Sequence, residues 1–357
     1  MGQSQRSIHL AFVFFFMSNT LMPILAARHF CLHTFSGMEG QNAAPRTAQT
    51  TSEKTRHVLL VVGGIYNETH IQCIDMSSVA GDPTEFHSNE ANENLRIPDL
   101  PGGRYDCVAL ELSGLIYVIG GVMEEGVITD SVAILDVASS RWTSGPCMRS
   151  PRARFGAVAL DDKIYAIGGQ DQPHGKLATT EVFEPLSQLW RLVAPMSRPR
   201  RDLAVAATQE EVYTVGGWDE GMLSIVECYQ PRTDSWTIIA SIATPLSEAG
   251  ACVLGNRLYV AGGRTETGVV TDSAAFYNVN TNSWQSIAPM SQRRWRFGLV
   301  AHGGSLYAVG GNNRLTEELT SIERYDPCRN QWTFAPEQLK MPRTGAAVVL
   351  LHLTCSD

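Results

Sequence analysis

A Gly-Gly pair recurs six times at nearly constant spacing, at Gly63-Gly64, Gly120-Gly121, Gly168-Gly169, Gly216-Gly217, Gly262-Gly263 and Gly310-Gly311, in steps of 57, 48, 48, 46 and 48 residues. A period near fifty restricts the fold to an array of small repeated β-sheet units. No such unit can cover its own faces, so each must be buried by its neighbours.

Within the repeats, a large apolar residue stands seven positions before a tryptophan in five of the six units: Leu135 and Trp142, Phe183 and Trp190, Tyr229 and Trp236, Tyr277 and Trp284, Tyr325 and Trp332. Residues 156–196 show how one unit is built. Four short apolar runs, AVAL from Ala157, KIYAIGG from Lys163, EVFEP from Glu181 and WRLV from Trp190, are separated by polar or glycine-containing turns. That spacing predicts an antiparallel four-stranded meander. The second run is almost wholly apolar, as a strand covered on both faces should be, and its terminal glycines supply the positive φ and close approach needed where the chain leaves it. On the fourth, outer strand the tryptophan fills the wedge that opens between units with radius.

The order diglycine, aromatic, tryptophan resembles the kelch repeat, and it runs from about His57 to His352. The resemblance implies an all-β fold, a six-bladed kelch β-propeller. Its closure is legible at the two ends of the pattern. The first diglycine follows a second strand, HVLLVVGG from His57, with no first strand ahead of it, and the chain ends on an orphan first strand, GAAVVLLH from Gly345. The C-terminal strand is therefore expected to complete blade one and remove the open edges. Blade one is irregular: it lacks the tryptophan, places Leu95 in the substitute position, and carries an insertion around Gly81 to Asn94 rich in acidic residues.

The pattern divides the chain into a leader and linker (1–56), the propeller (57–352) and a tail (353–357). Arg6 precedes an uncharged stretch over residues 7–27 that fits a signal peptide or anchor, giving a secretory or membrane-attached alternative to a cytoplasmic protein. A start at Met38 or a gene-model artefact would equally account for it. Eight cysteines in 357 residues are not a disulfide framework, and their scatter over separate blades reads as reduced thiols, which favours the cytosol. The sequon at Asn67 matters only if the leader is real. A net charge of -8 argues against a general nucleic-acid binder.

Motifs for catalysis are sparse: there is no phosphate loop, no Cys-x-x-Cys and no His-Glu-x-x-His, and no cofactor or metal is expected. His302 and His352 fall at neighbouring strand ends, but two loop histidines without a carboxylate partner make a poor metal site. Binding has more support. Arginine outnumbers lysine 24 to four, and eleven arginines lie in the loops between blades. Because strands alternate in direction, those loops emerge on the same face as the loops joining strands two and three. In the kelch-like proteins this chain resembles, that face holds the peptide pocket. Aligned on Pro151, the loops offer one rim position per blade: Arg104, Arg154, Asp202, Glu248, Arg296 and Gly345. This ring is expected to be two-toned, with arginine over most blades and acid over blades four and five. Tyr66, Trp218, Arg264 and Asn312 follow their diglycines on the same face. Arg152, Arg200 and Arg343 have a structural alternative, pairing with third-strand glutamates Glu181, Glu227 or Glu323.

The resemblance implies a non-enzymatic protein-interaction module, a substrate adaptor for a cullin-RING ubiquitin ligase with a protein or peptide ligand, an acidic segment favoured. Such adaptors carry BTB and BACK domains ahead of the propeller, and 56 residues are too few for the first. The chain is then either a piece of such a protein or a propeller with another role. An actin-binding cytoskeletal scaffold and a secreted or metal-dependent propeller are the alternatives.

Overall fold

A computed structural model describes residues 54–65, 69–76, 97–171, 175–314 and 317–355. Its strands form six blades, and the C-terminal strand does close the first of them. Five blades are antiparallel four-stranded meanders; blade three, for example, runs Gly156–Leu160, Lys163–Ile167, Thr180–Glu184, Leu189–Val193. Blade one pairs Ala347–Cys355 with Lys54–Val62 and the latter with Ile71–Asp75, three strands among the described residues. The pairing of the chain ends reaches past His57 and His352 to join Lys54 with Cys355. Leu95, Asn67, the Gly81 to Asn94 insertion and the leader lie outside the described residues.

The hydrophobic cores sit between blades. Among the described residues six large clusters each join two neighbours: Ile119 of blade two with Ile164 and Phe183 of blade three, Val212 and Tyr229 of blade four with Tyr165 of blade three, and so on around to Tyr307 of blade six with Leu59 of blade one. Blades converge at the axis so closely that a Cβ on Gly156 would stand 1.9 Å from Val205 Cγ2 of the next blade. The diglycines answer a second constraint. Gly168 and Gly169 have φ of 62° and 92°, and a Cβ on either would run into the backbone carbonyl of Arg200 or Ala153.

At larger radius the tryptophans act as staples. The indole Nε1–H of each of the five repeat tryptophans donates to a backbone carbonyl of the preceding blade or its outgoing loop: Trp142 to Pro98, Trp190 to Pro146, Trp236 to Ala194, Trp284 to Ala240 and Trp332 to Ala288, over 2.7 to 3.0 Å. The partner aromatic packs against the indole, with ring centroids 5.1 Å apart for Tyr229 and Trp236. Its hydroxyl donates to Asp234, whose carboxylate also accepts the Ala194 N–H of the blade before.

Candidate functional site

The face of interest is built by two sets of loops that pair with each other. In each of blades two to six the segment entering the first strand bridges to the segment leaving the second: Tyr105 with Val122, Ala153 with Gln170, Arg201 with Trp218, Ser247 with Arg264, Trp295 with Asn312. Both loop sets therefore lie on one side of the ring.

At the axis these entry loops meet in a closed circle of backbone hydrogen bonds. The N–H of Arg154 donates to the carbonyl of Asp106, Asp202 to Arg154, Glu248 to Asp202, Arg296 to Glu248, Gly345 to Arg296 and Asp106 to Gly345, all at 2.8 to 3.1 Å. All six residues have φ between 52° and 64°. One left-handed residue per blade turns its N–H sideways to the neighbour, so the circle imposes a conformation that disfavours most side chains.

The side chains of this circle line an axial pit of about 140 Å³. Here the structure corrects the sequence alignment at blade two. The circle position is Asp106, and Arg104, two residues earlier, is buried beneath it with its guanidinium on the carbonyls of Gly120 and Ser131. The ring is consequently not two-toned. Arg154 lies 3.0 Å from Asp106 and 3.8 Å from Asp202, and Arg296 lies 2.8 Å from Glu248 and 3.4 Å from Asp106, which it reaches across the bare Gly345. Burial opposes the charge of Arg296, but Asp106, Glu248 and Asp202 more than offset it and raise its pKa. Burial, with Glu248 beside it, pushes the carboxyl of Asp202 up to about 6 against the opposing pull of Arg154 and Arg296.

Arg104 stands at the position of a different set, whose other arginines clip adjacent blades together. Arg152 is fully buried; its backbone carbonyl accepts from Gly121 of blade two while its guanidinium holds the Gly168 and Thr179 carbonyls and Glu181 of blade three. Arg200 with Glu227 repeats the arrangement at the next seam. Glu323 pairs with Arg294, however, and not with Arg343, whose guanidinium reaches the carbonyl of Gly63.

Off the axis, two indoles carry cations. Lys176 and Arg201 each lie 4.7 Å from the ring centroid of Trp218, and Arg264 and Arg296 lie 4.8 and 5.4 Å from that of Trp295. Arg264 also contacts Glu248 at 3.5 Å and keeps 28% of its side chain exposed. Asn312 is buried under the face by its bridge to Trp295. Tyr66 lies outside the described residues. Sequence reasoning missed Asp106, although it stands 48 residues before Arg154, the same step as the diglycines. Trp295 and Lys176 carried no such signal, whereas Arg293 is one of the eleven blade-loop arginines. His57 joins His302 and His352 on the opposite side, with ring centroids 4.7 and 5.0 Å away, and burial, with His57 and His352 nearby, lowers the pKa of His302. No group of three or more His, Cys, Asp or Glu among the described residues is placed to hold a metal ion. No helix among them is long and apolar enough to cross a membrane.

A closed ring of six small sheets with its blade-joining loops gathered on one charged face defines a β-propeller, a fold whose faces serve to bind. Residues 48–248 match the KLHDC2/KLHL20/DRC7 Kelch-repeats domain, and residues 245–291 and 293–338 match the Kelch motif. The chain belongs to the kelch-repeat family. No curated protein matches it. The solved structure of YjhT is similar in fold, with a TM-score of 0.59 over 67% of this chain and 86% of that one at 16% identity.

Proposed function

We propose that this chain is a non-enzymatic protein-recognition module whose partner docks on the loop face, in the manner of the substrate-binding propellers of kelch-like adaptors for cullin-RING ubiquitin ligases. The observation that carries the reading is the pair of cation-flanked indoles, Trp218 and Trp295, on the face where all the blade-joining loops gather. Aromatic and arginine side chains are the groups that anchor protein interfaces, and cations held over indoles suit an acidic partner segment. The scattered reduced thiols favour a cytoplasmic setting, since Cys107 and Cys252 are buried and their pKa values are pushed up by that burial to about 11 and about 12.

Affinity capture from cell extract tests the face. Trp218→Ala combined with Arg264→Ala should reduce the retained partner roughly tenfold or more, given about 1.5 to 3 kcal/mol for each charge-assisted contact. Asp161→Asn with Asp162→Gly, a change on the opposite side that keeps a turn with two positive φ values, should not. The reverse pattern would mean the functional face is the other one. A cullin scaffold among the retained proteins supports the adaptor role; cosedimentation with filamentous actin, lost in the loop-face variant, would favour a cytoskeletal scaffold instead.

A further inference from the structure

Between blades five and six the loop face opens into a groove of about 650 Å³, separate from the axial pit and lined by Arg264, Val269, Val270, Arg293, Trp295 and Asn313 among others. Its polar groups are unevenly satisfied. The indole Nε1–H of Trp295 and the Oδ1 of Asn313 are both buried without a hydrogen-bond partner among the described residues. Buried polar atoms are nearly always paired, so a donor and an acceptor left open in one groove point to a ligand that supplies both complements. Arg293 is 61% exposed and only loosely paired, its Nε 3.9 Å from Asp272. A surface pair of that kind holds its arginine weakly and leaves the guanidinium available. Val269, 49% exposed, adds apolar surface beside these charges.

We infer that this groove anchors an extended peptide segment in which a carboxylate side chain and a branched aliphatic one are neighbours. The carboxylate accepts from Arg293 and from the Trp295 indole N–H, the peptide's own backbone N–H donates to Asn313, and the aliphatic side chain packs on Val269 and Val270. Other cationic positions on the face serve less well. Arg154 and Arg296 are already held between Asp106, Asp202 and Glu248, and a guest carboxylate at the axis would meet those three acids. Lys176 and Arg198 are both engaged by Asp219, at 2.8 and 3.0 Å. The groove rests on the reading that the loop face receives the partner, and it narrows that reading to one place and one chemistry.

The test probes an array of short Gly-Ser peptides with the full chain, each peptide carrying one central pair that joins Asp, Glu, Asn, Gln or Lys to Val, Leu, Ile or Ser, in either order. Asp-aliphatic and Glu-aliphatic pairs should be retained about tenfold above their amide and serine counterparts. Arg293→Ala and Val269→Asp should each abolish that preference with thermal melting unchanged, and Trp295→Phe, which keeps an aromatic ring under Arg264 but removes the N–H, should weaken it severalfold. Absence of a preference for acid-aliphatic pairs, or retention of it in Arg293→Ala and Val269→Asp, overturns the inference. Loss confined to Arg154→Ala and Arg296→Ala moves the anchor to the axis and overturns the groove while leaving the loop-face reading intact. Sensitivity only to Asp161→Asn with Asp162→Gly overturns both.

Discussion

Arginine has two opposed tasks in this chain, separated by two residues in the entry loops of blades three and six. Arg152 is sealed between blades and grips Glu181, whereas Arg154 stands at the axial pit with more than a quarter of its side chain exposed. The buried arginine stands without a glutamate in blade two, where Ala133 takes that place, but each buried glutamate of the set, Glu181, Glu227 and Glu323, has its arginine. At the seam between blades four and five, Leu246 stands where the others have arginine and Ala275 where three have glutamate, and both fit without an orphaned charge. Arg152→Ala alone should therefore cost about 3 to 5 kcal/mol, because Glu181 is left buried without its cation. Arg152→Met with Glu181→Gln, which copies the Gln72 of blade one, should recover at least half of that loss in denaturant titrations. If the single and double variants melt alike, the burial argument fails. The axial carboxyl gives a pH signature. Asp202 has a folded pKa of about 6 against an ordinary 3.8, so the folded protein takes up the proton first. The stability tied to that protonation is full below about pH 4 and is lost as pH rises through 6. Asp202→Asn should accordingly melt higher than wild type at pH 7.5, with the gap closing towards pH 4; parallel melting curves across that range would contradict the assignment. That Asp106 and not Arg104 shares this ring could be counted from the 48-residue step, but the charges neutralising one another could not, since Arg296 meets Asp106 from 190 residues away.

At the scale of the element, each blade holds its neighbour by two devices at different radii. Near the axis the clip arginines and the circle of N–H to carbonyl bonds join entry loops; outside, the tryptophan staples join outer strands. Trp236 illustrates the second, with its N–H 2.8 Å from the Ala194 carbonyl and its face on Tyr229. Trp236→Phe keeps most of the apolar contact and should cost about 1 kcal/mol for the lost bond, while Trp236→Ala should cost about 3 to 5 kcal/mol for the cavity as well. Equal losses in chemical denaturation would show that the bond, not the packing, carries the staple. The seven-residue spacing of Tyr229 and Trp236 made their shared strand pair readable. Their register is direct, Tyr229 opposite Trp236, as two strands joined by a tight turn require.

For the whole molecule, closure is the decisive step, since a row of blades would expose two blade faces and break the axial circle. Both forms of closure depend on the last segment: Gly345 supplies one N–H and one carbonyl to the circle, and Ala347–Cys355 is the inner strand of blade one. Ending the chain after Arg343 should give insoluble or rapidly proteolysed protein. A truncated chain with the melting temperature of the full one would refute this account of the ring.

The repeat period, the apolar second strands and the unmatched strands at the two ends were enough to establish six blades and how they close, because each reflects local spacing or a missing hydrogen-bond partner that only one topology supplies. The face on which loops gather followed from strand alternation alone. What the tertiary structure decided was which charges remain free on that face. Arg152 and Arg154 stand two residues apart in the chain, yet one left-handed residue leaves the first in a seam and the second at the axis. The groove of Arg264, Arg293, Trp295 and Asn313 draws on two blades, and its chemistry exists only where they meet.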